Sequence, residues 1–406
     1  MIVPLQTAVP RSDLGRIDRH ALRAPRHAAR SLDALAAYLA SAARDERETA
    51  RAIFRWIAHN VTYNAPAFFS GRIRSELEDP EVVLRRRTAV CDGFAGLFVA
   101  LATRAGLQAR TITGHAKGFG YRAGEGVAGA PDHAWNAVRI RGRWRLLDPT
   151  WGTGHIDGSA RTFQREFQQH YFLTPAEQFI YGHFPEEPEW QLLRHPLTRS
   201  EFATLAHPTA VFFEHGLRLA SHDSGAIQTG GRLTVRLQTP ETVLLTAALL
   251  RNGREVKGSP VFVQRDGGFV DIYARFPRAG AYTLRLFSKS DAGQPIYEEA
   301  LNYRISASTS TGAGGFPLVY RSFAERQGHL YAPIRGRLKA GTRQRFRLNV
   351  PGAQRVVAIV NGKWQYLDGT EGGFEGNLRV PRGEFILYAQ FPGEKNVAGL
   401  LRFEGG

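Results

Sequence analysis

The chain of 406 residues holds one cysteine, Cys91. A single thiol excludes an intramolecular disulfide and any cysteine-rich zinc site. No run of 18 apolar residues occurs, which excludes a transmembrane helix of ordinary length. The opening residues, MIVPLQTAVPRSDLG, lack the basic stretch and following apolar stretch of a signal peptide. Lysine is scarce as well: 47 of the 53 basic residues are arginine, a bias that codon usage explains as readily as a ligand does. The net charge of +16 invites a nucleic-acid reading, but the excess is +7 over residues 1–200 and +9 over 201–406. A nucleic-acid footprint is focused, this excess is spread, and no basic-aromatic motif accompanies it. No nucleic-acid partner is expected.

What is present suggests several domains, since single cores stop growing well below 406 residues. Residues 20–190 mix helical periods with short strands, and residues 208–406 read as alternating strands and turns. In the first part, 45-DERETARAIFRWIAHNV-61 predicts a helix, with Asp45 as cap and Glu48 three residues on. Ile53, Phe54, Ile57 and Val61 form its apolar face. A second helix is expected to start at Cys91, with Phe94, Leu97, Phe98 and Leu101 buried and Gly106 as its stop. Strands are expected over 108–113, 133–140 and 143–148.

The second part reads as an internal repeat, with chance similarity of two all-β domains as the alternative. One copy runs 249-LLRNGR-254, 267-GGF-269, 276-FPRAGAYTLRLF-287; the other runs 358-AIVNGK-363, 372-GGF-374, 380-VPRGEFILYAQF-391. Each copy has the length of an immunoglobulin-like β-sandwich. Between them, 306-SASTSTGAGG-315 has the composition of a flexible linker.

Chemistry is suggested by 88-TAVCDGFAGLF-98 and 132-DHAWNAVRIRGRWRLLDPTWG-152. Free N–H groups at a helix N-terminus favour a thiolate and can stabilise an oxyanion. Asp92 and Gly93 read as a small, polar opening for substrate. A lone cysteine is also, and more commonly, a small buried hydrophobe. In the second stretch, a two-residue turn at Arg141–Gly142 pairs Ile140 with Arg143 and, counting outward, Trp135 with Asp148. His133 then shares a face with Asp148 as a diagonal neighbour, about 7–8 Å away at the backbone. A cysteine at a helix start with His and Asp on adjacent strands is what a thiol nucleophile needs. Cys91 would attack, His133 would take its proton and Asp148 would hold the imidazole. His59, His115 and His155 fit less well. No histidine pair has helical metal-ligand spacing backed by carboxylates, so neither a metal nor a cofactor is expected.

The ordered set 53-IFRWIAHNVTYN-64, 88-TAVCDGFAGLF-98 and 132-DHAWNAVRIRGRWRLLDPTWG-152 resembles the transglutaminase-like superfamily. The stretch 171-YFLTPAEQFIYGHFPEEPEWQLL-193 is similar to the segment after the core in its kyphoscoliosis-peptidase-type branch, with the β-rich remainder in keeping with bacterial multidomain members. The resemblance covers about 25–195 and implies a papain-like cysteine-protease fold with Cys91 as nucleophile, His133 as base and Asp148 as third member. Asn64 stands where the family often has Asp, and His115 where an aromatic is common. Trp56 and Tyr63 are candidates for the cleft or a second oxyanion donor, with core packing as the alternative. Trp135 is expected to border the site, and Trp144 and Trp151 to pack.

The expected class is α+β: an N-terminal extension over 1–24, a transglutaminase-like domain over 25–195, and β-sandwiches over 205–307 and 316–406. The expected function is acyl transfer on peptide or glutamine-type amides through a thioester, ending in hydrolysis or cross-linking. The alternative is an inactive protein-binding scaffold. The expected partner is a protein or peptide substrate associated with a cell envelope. The appended β-sandwiches suggest an extracytoplasmic location, periplasmic or secreted.

Overall fold

The structure is a computed structural model and describes residues 14–290, 295–312, 314–360 and 362–406. Most of the expected N-terminal extension (1–13), Ala313 of the expected linker and Asn361 of the second repeat lie outside the described residues. Two compact units divide the chain, one ending at Leu205 and the other beginning at Ala206.

The first unit opens with helices α1 (Gly15–Leu22), α2 (Leu32–Ser41) and α3 (Glu46–Asn60). The Asp45 carboxylate caps α3 by accepting from the Glu48 N–H at 2.9 Å. The expected reciprocal bond from Glu48 is not made: its carboxylate accepts from the Arg44 N–H and pairs with Arg16 on α1. The cap thus joins two helices instead of closing on itself. Strand β1 (Thr62–Tyr63) follows, then α4 (Ala65–Ser70), α5 (Pro80–Arg86) and β2 (Thr88–Ala89), which pairs in parallel with β1. Helix α6 (Cys91–Arg104) comes next. Phe94, Leu97, Phe98 and Leu101 of α6 are fully buried, worth about 1.5–3 kcal/mol each. Gly106, at φ +81°, ends the helix in the left-handed conformation that glycine adopts freely.

Strands β3 (Ala109–Ala116), β4 (His133–Ile140) and β5 (Arg143–Leu147) follow, then the hairpin of β6 (Gly154–Asp157) and β7 (Thr162–Arg165), then β8 (His183–Pro185). The main sheet has the antiparallel order β5-β4-β3-β8 and packs against α6. Arg141 and Gly142 both have positive φ, the conformation of a two-residue hairpin turn whose twist suits its strands. The register is Ile140↔Arg143 through Asn136↔Leu147, the one the turn implied. Asn136 is fully buried, and its amide donates to the Ala95 and Arg110 carbonyls at 3.1 and 3.2 Å. It fixes α6 against the sheet, and so fixes the height of Cys91 over β4.

The second unit is built mainly of β-strands. Its first part stacks a four-stranded sheet (218–219, 232–238, 269–275, 261–266) on a six-stranded one. The repeat read in the sequence is visible in the connections. In each copy a short helix leads into an edge strand: Ala210–Glu214 before Arg218–Leu219, and Arg321–Glu325 before His329–Ala332. In each copy a short strand also pairs in parallel with the last strand. The copies differ at one place. Arg254–Glu255 and Val261–Asp266 are separate strands in the first. In the second, Lys363–Thr370 runs through both layers and joins them as one nine-stranded sheet.

Candidate active site

The short parallel pairing of β1 with β2 sets Tyr63 opposite Ala89, two residues before Cys91. Cys91 is a half-buried free thiol in the first turn of α6. That turn has no cap from Val90. The Glu78 carboxylate takes its place, accepting from the Val90 N–H at 3.0 Å and the Gly93 N–H at 3.1 Å. Burial raises the Glu78 carboxyl, and the two backbone bonds oppose that rise. The expectation of a substrate opening at Asp92–Gly93 is therefore corrected. Gly93 is buried, and a Cβ there would stand 2.4 Å from Glu78 Oε2 and 2.7 Å from Ala89 Cβ. Its missing side chain admits Glu78, not a ligand.

His133 begins β4, and Asp148 lies one residue past β5. His133 Nε2 is 2.7 Å from Asp148 Oδ2. His133 is 9% exposed and Asp148 0%. The other Asp148 oxygen accepts from the Trp151 N–H at 3.0 Å. Because Nε2 is engaged with Asp148, Nδ1 is the ring nitrogen that remains for a second partner, and Cys91 lies near enough to His133 to act on its proton affinity. Burial alone would lower His133, but the charge and hydrogen bond of Asp148, followed by Cys91, reverse this and raise it. For Asp148, burial pushes upward and His133, then His183, pull the carboxyl well below its ordinary range. The pair therefore favours an ionised carboxylate under an imidazole ready to hold a proton.

His183 was not singled out in the sequence. It lies on β8, 2% exposed, with Nε2 3.0 Å from the same Asp148 oxygen. Burial lowers it, against the pull of Asp148. It stacks on Phe179 with ring centroids 4.0 Å apart. One signal could have found it: a histidine inside the apolar run 179-FIYGHF-184 must be buried, and a buried imidazole needs a polar partner. His133, Asp148 and His183 also bring two imidazoles and a carboxylate within 4.8 Å, a donor set that transition metals accept. Local spacing could not show this, because 50 residues separate the histidines. Both Nε2 atoms are turned to one carboxylate oxygen, so the cluster is satisfied as a hydrogen-bonded set.

The aromatic candidates separate. Trp56 is 1% exposed in the helical core, with Arg87 stacked on its ring at 4.3 Å. Tyr63 is half-buried; burial first, then Cys91, Asp148, Glu78 and Asp92, hold its phenol above the ordinary value, so it stays a donor. Trp135 is fully buried, 6.0 Å from the His133 ring, and its Nε1 has no hydrogen-bond partner. Trp151, expected chiefly to pack, lies nearer, stacked on His133 at 5.4 Å and tilted against His183 at 4.3 Å.

Comparison with known proteins finds two domain families in the chain. Residues 33–149 match the Transglutaminase-like superfamily, and residues 199–313 match the KY-like, immunoglobulin-like domain. The chain carries a transglutaminase-like core followed by a KY-like immunoglobulin-like domain. Kyphoscoliosis peptidases are its homologues: the human protein is 33% identical over 295 residues, 72% of this chain and 43% of the human protein. Hillarin of Drosophila melanogaster is 32% identical over 300 residues, 68% of this chain and 36% of Hillarin. The chain thus spans less than half the length of these relatives. Among solved structures, a putative cysteine protease from Cytophaga hutchinsonii is 30% identical over 35% of this chain and 45% of that one, with a TM-score of 0.24.

Proposed function

We propose that the chain is a cysteine-dependent acyl-transfer enzyme acting on peptide or glutamine-type amides. The observation that carries this reading is the buried 2.7 Å contact between His133 Nε2 and Asp148 Oδ2, next to the chain's one cysteine. Cys91 gives its proton to His133 and its sulfur attacks the carbonyl carbon. The C–N bond breaks, His133 returns the proton to the departing amine, and a thioester remains. Water then releases an acid, or an amine forms a new amide. Asp148 balances the imidazolium formed in each half-reaction. Tyr63, held protonated beside Cys91, is the side chain suited to donate to the developing oxyanion.

A second reading is a scaffold with little activity. It draws on Glu78, which occupies two of the N–H groups at the nucleophile's helix start and sets a carboxylate near the thiol. One experiment separates the two. Because Cys91 is the sole thiol, its alkylation by iodoacetamide is read without ambiguity by intact mass. The enzyme reading expects alkylation faster than that of a free thiol, slowed in His133→Ala, and loss of amide turnover in Cys91→Ala. Equal rates in wild type and His133→Ala, with turnover retained by Cys91→Ala, would sink it.

A further inference from the structure

Three segments distant in sequence bring aromatic rings to one place on the first unit. Phe68 and Phe69 come from α4, Phe119 from the long connection between β3 and β4, and Phe163 from β7. Phe119 meets Phe68 and Phe69 edge-on, with centroids 6.4 and 5.4 Å apart. Tyr63 joins this group to the nucleophile: it lies 5.9 Å from Phe68, 6.2 Å from Phe163 and 6.5 Å from Phe94, three residues beyond Cys91.

These rings are not a finished core. Phe119 keeps 48% of its surface exposed and Phe68 keeps 37%. Burying such a side chain is worth about 1.5–3 kcal/mol, so each ring forgoes much of that gain in the free protein. Exposed apolar surface of this kind marks a place where a partner completes the packing. The face is continuous with Cys91 through Tyr63, so its occupant is the molecule that reaches Cys91. From Tyr63 to Phe68 to Phe119 is two ring-to-ring steps of 5.9 and 6.4 Å. An extended chain rises about 3.3 Å per residue, so roughly three to four residues span it.

We propose that this aromatic face is the subsite for a bulky apolar side chain, aromatic or branched aliphatic, lying roughly three to four residues from the reacting amide of a polypeptide substrate. The proposal rests on the acyl-transfer reading for the identity of the occupant, and its test is chosen to stand apart from it. The probes are peptidyl chloroacetamides in which one phenylalanine is moved through successive serine positions. Modification of Cys91 is followed by intact mass.

In wild type the rate should peak by about tenfold when the phenylalanine is three or four residues from the reactive group, a gain typical of an apolar pocket. In Phe68→Ser and Phe119→Ser the peak should collapse toward the serine baseline, while plain chloroacetamide reacts as before. That control shows the thiol and the fold to be intact, and the exposure of both side chains makes it attainable. A flat series in wild type, or a peak unchanged in both variants, overturns the subsite. His133→Ala should slow every probe alike. If it slows none, the acyl-transfer reading falls while the position series still reports on the subsite.

Discussion

The two units are nearly equal in length but use their interiors differently. Among the described residues, thirteen buried polar or charged side chains lie in the first unit and five in the second. Buried polar groups cost stability unless every one is paired, so a fold that collects them is held to a geometry and not merely to a volume. The β unit is held mainly by volume. Phe346 is fully buried between Phe385 and Phe403, at 6.1 and 5.3 Å, with no polar demand to meet. In the first unit, Asp148 alone receives His133, His183 and the Trp151 N–H. Damage to one unit should therefore be read in reactivity, and damage to the other in stability.

The largest expected effect is Asp148→Asn. An amide cannot carry the charge that balances His133, and its NH2 faces imidazole donors. Amide turnover should fall roughly a thousand- to ten-thousandfold, as for other triads losing this carboxylate. A fall below tenfold in single-turnover kinetics would remove Asp148 from the proposed mechanism. Next in size is Phe346→Ala in the β unit, expected to cost about 3–5 kcal/mol in urea unfolding because a cavity replaces a buried ring. Cys91 alkylation should stay at the wild-type rate; a parallel loss of reactivity would break the contrast between the units.

A smaller effect tests His183 as a positioning residue. His183→Phe removes one of the donors to Asp148 and should slow Cys91 alkylation about tenfold, the cost of one weakened hydrogen bond to a buried charge. His183→Gln keeps an N–H donor and should recover most of the rate. If both variants lose the same amount, packing and not the hydrogen bond is what His183 supplies.

The contrast between units also explains what could be read in the sequence. The hairpin register was legible because the two-residue turn Arg141–Gly142 sets pairing locally, and counting outward reaches Asp148. The Asp45 cap and the helix starting at Cys91 were legible for the same reason. The β-rich second unit showed through alternation and the repeated GGF turns. Glu78 was not legible, because it reaches forward past α5 and β2 to the start of α6, 12 and 15 residues along the chain, and that contact reverses the meaning of Gly93. The continuous strand Lys363–Thr370 was also hidden, since its local alternation does not say which sheets it joins.

The last expected effect is a slope of stability with pH, and it is the most specific to the polar interior of the first unit. Lys117 is 1% exposed; its ammonium donates to the Leu205 carbonyl at 2.9 Å and lies 4.6 Å from the Phe202 ring. Burial, with no carboxylate to oppose it, pulls the group from 10.5 down to about 7. Between those values the unfolded chain holds a proton that the folded chain has released. The unfolded state then binds more protons, so this group makes stability rise with pH from about 7 to 10.5. That sign is opposite to that of a lysine that gains an ion-pair partner. Lys117→Met removes the titration and leaves other groups common to both proteins. Urea midpoints at pH 7, 8.5 and 10 should show wild type gaining on the variant at each step. A constant difference would mean that Lys117 keeps its ordinary proton affinity in the fold, and that its burial is relieved by solvent.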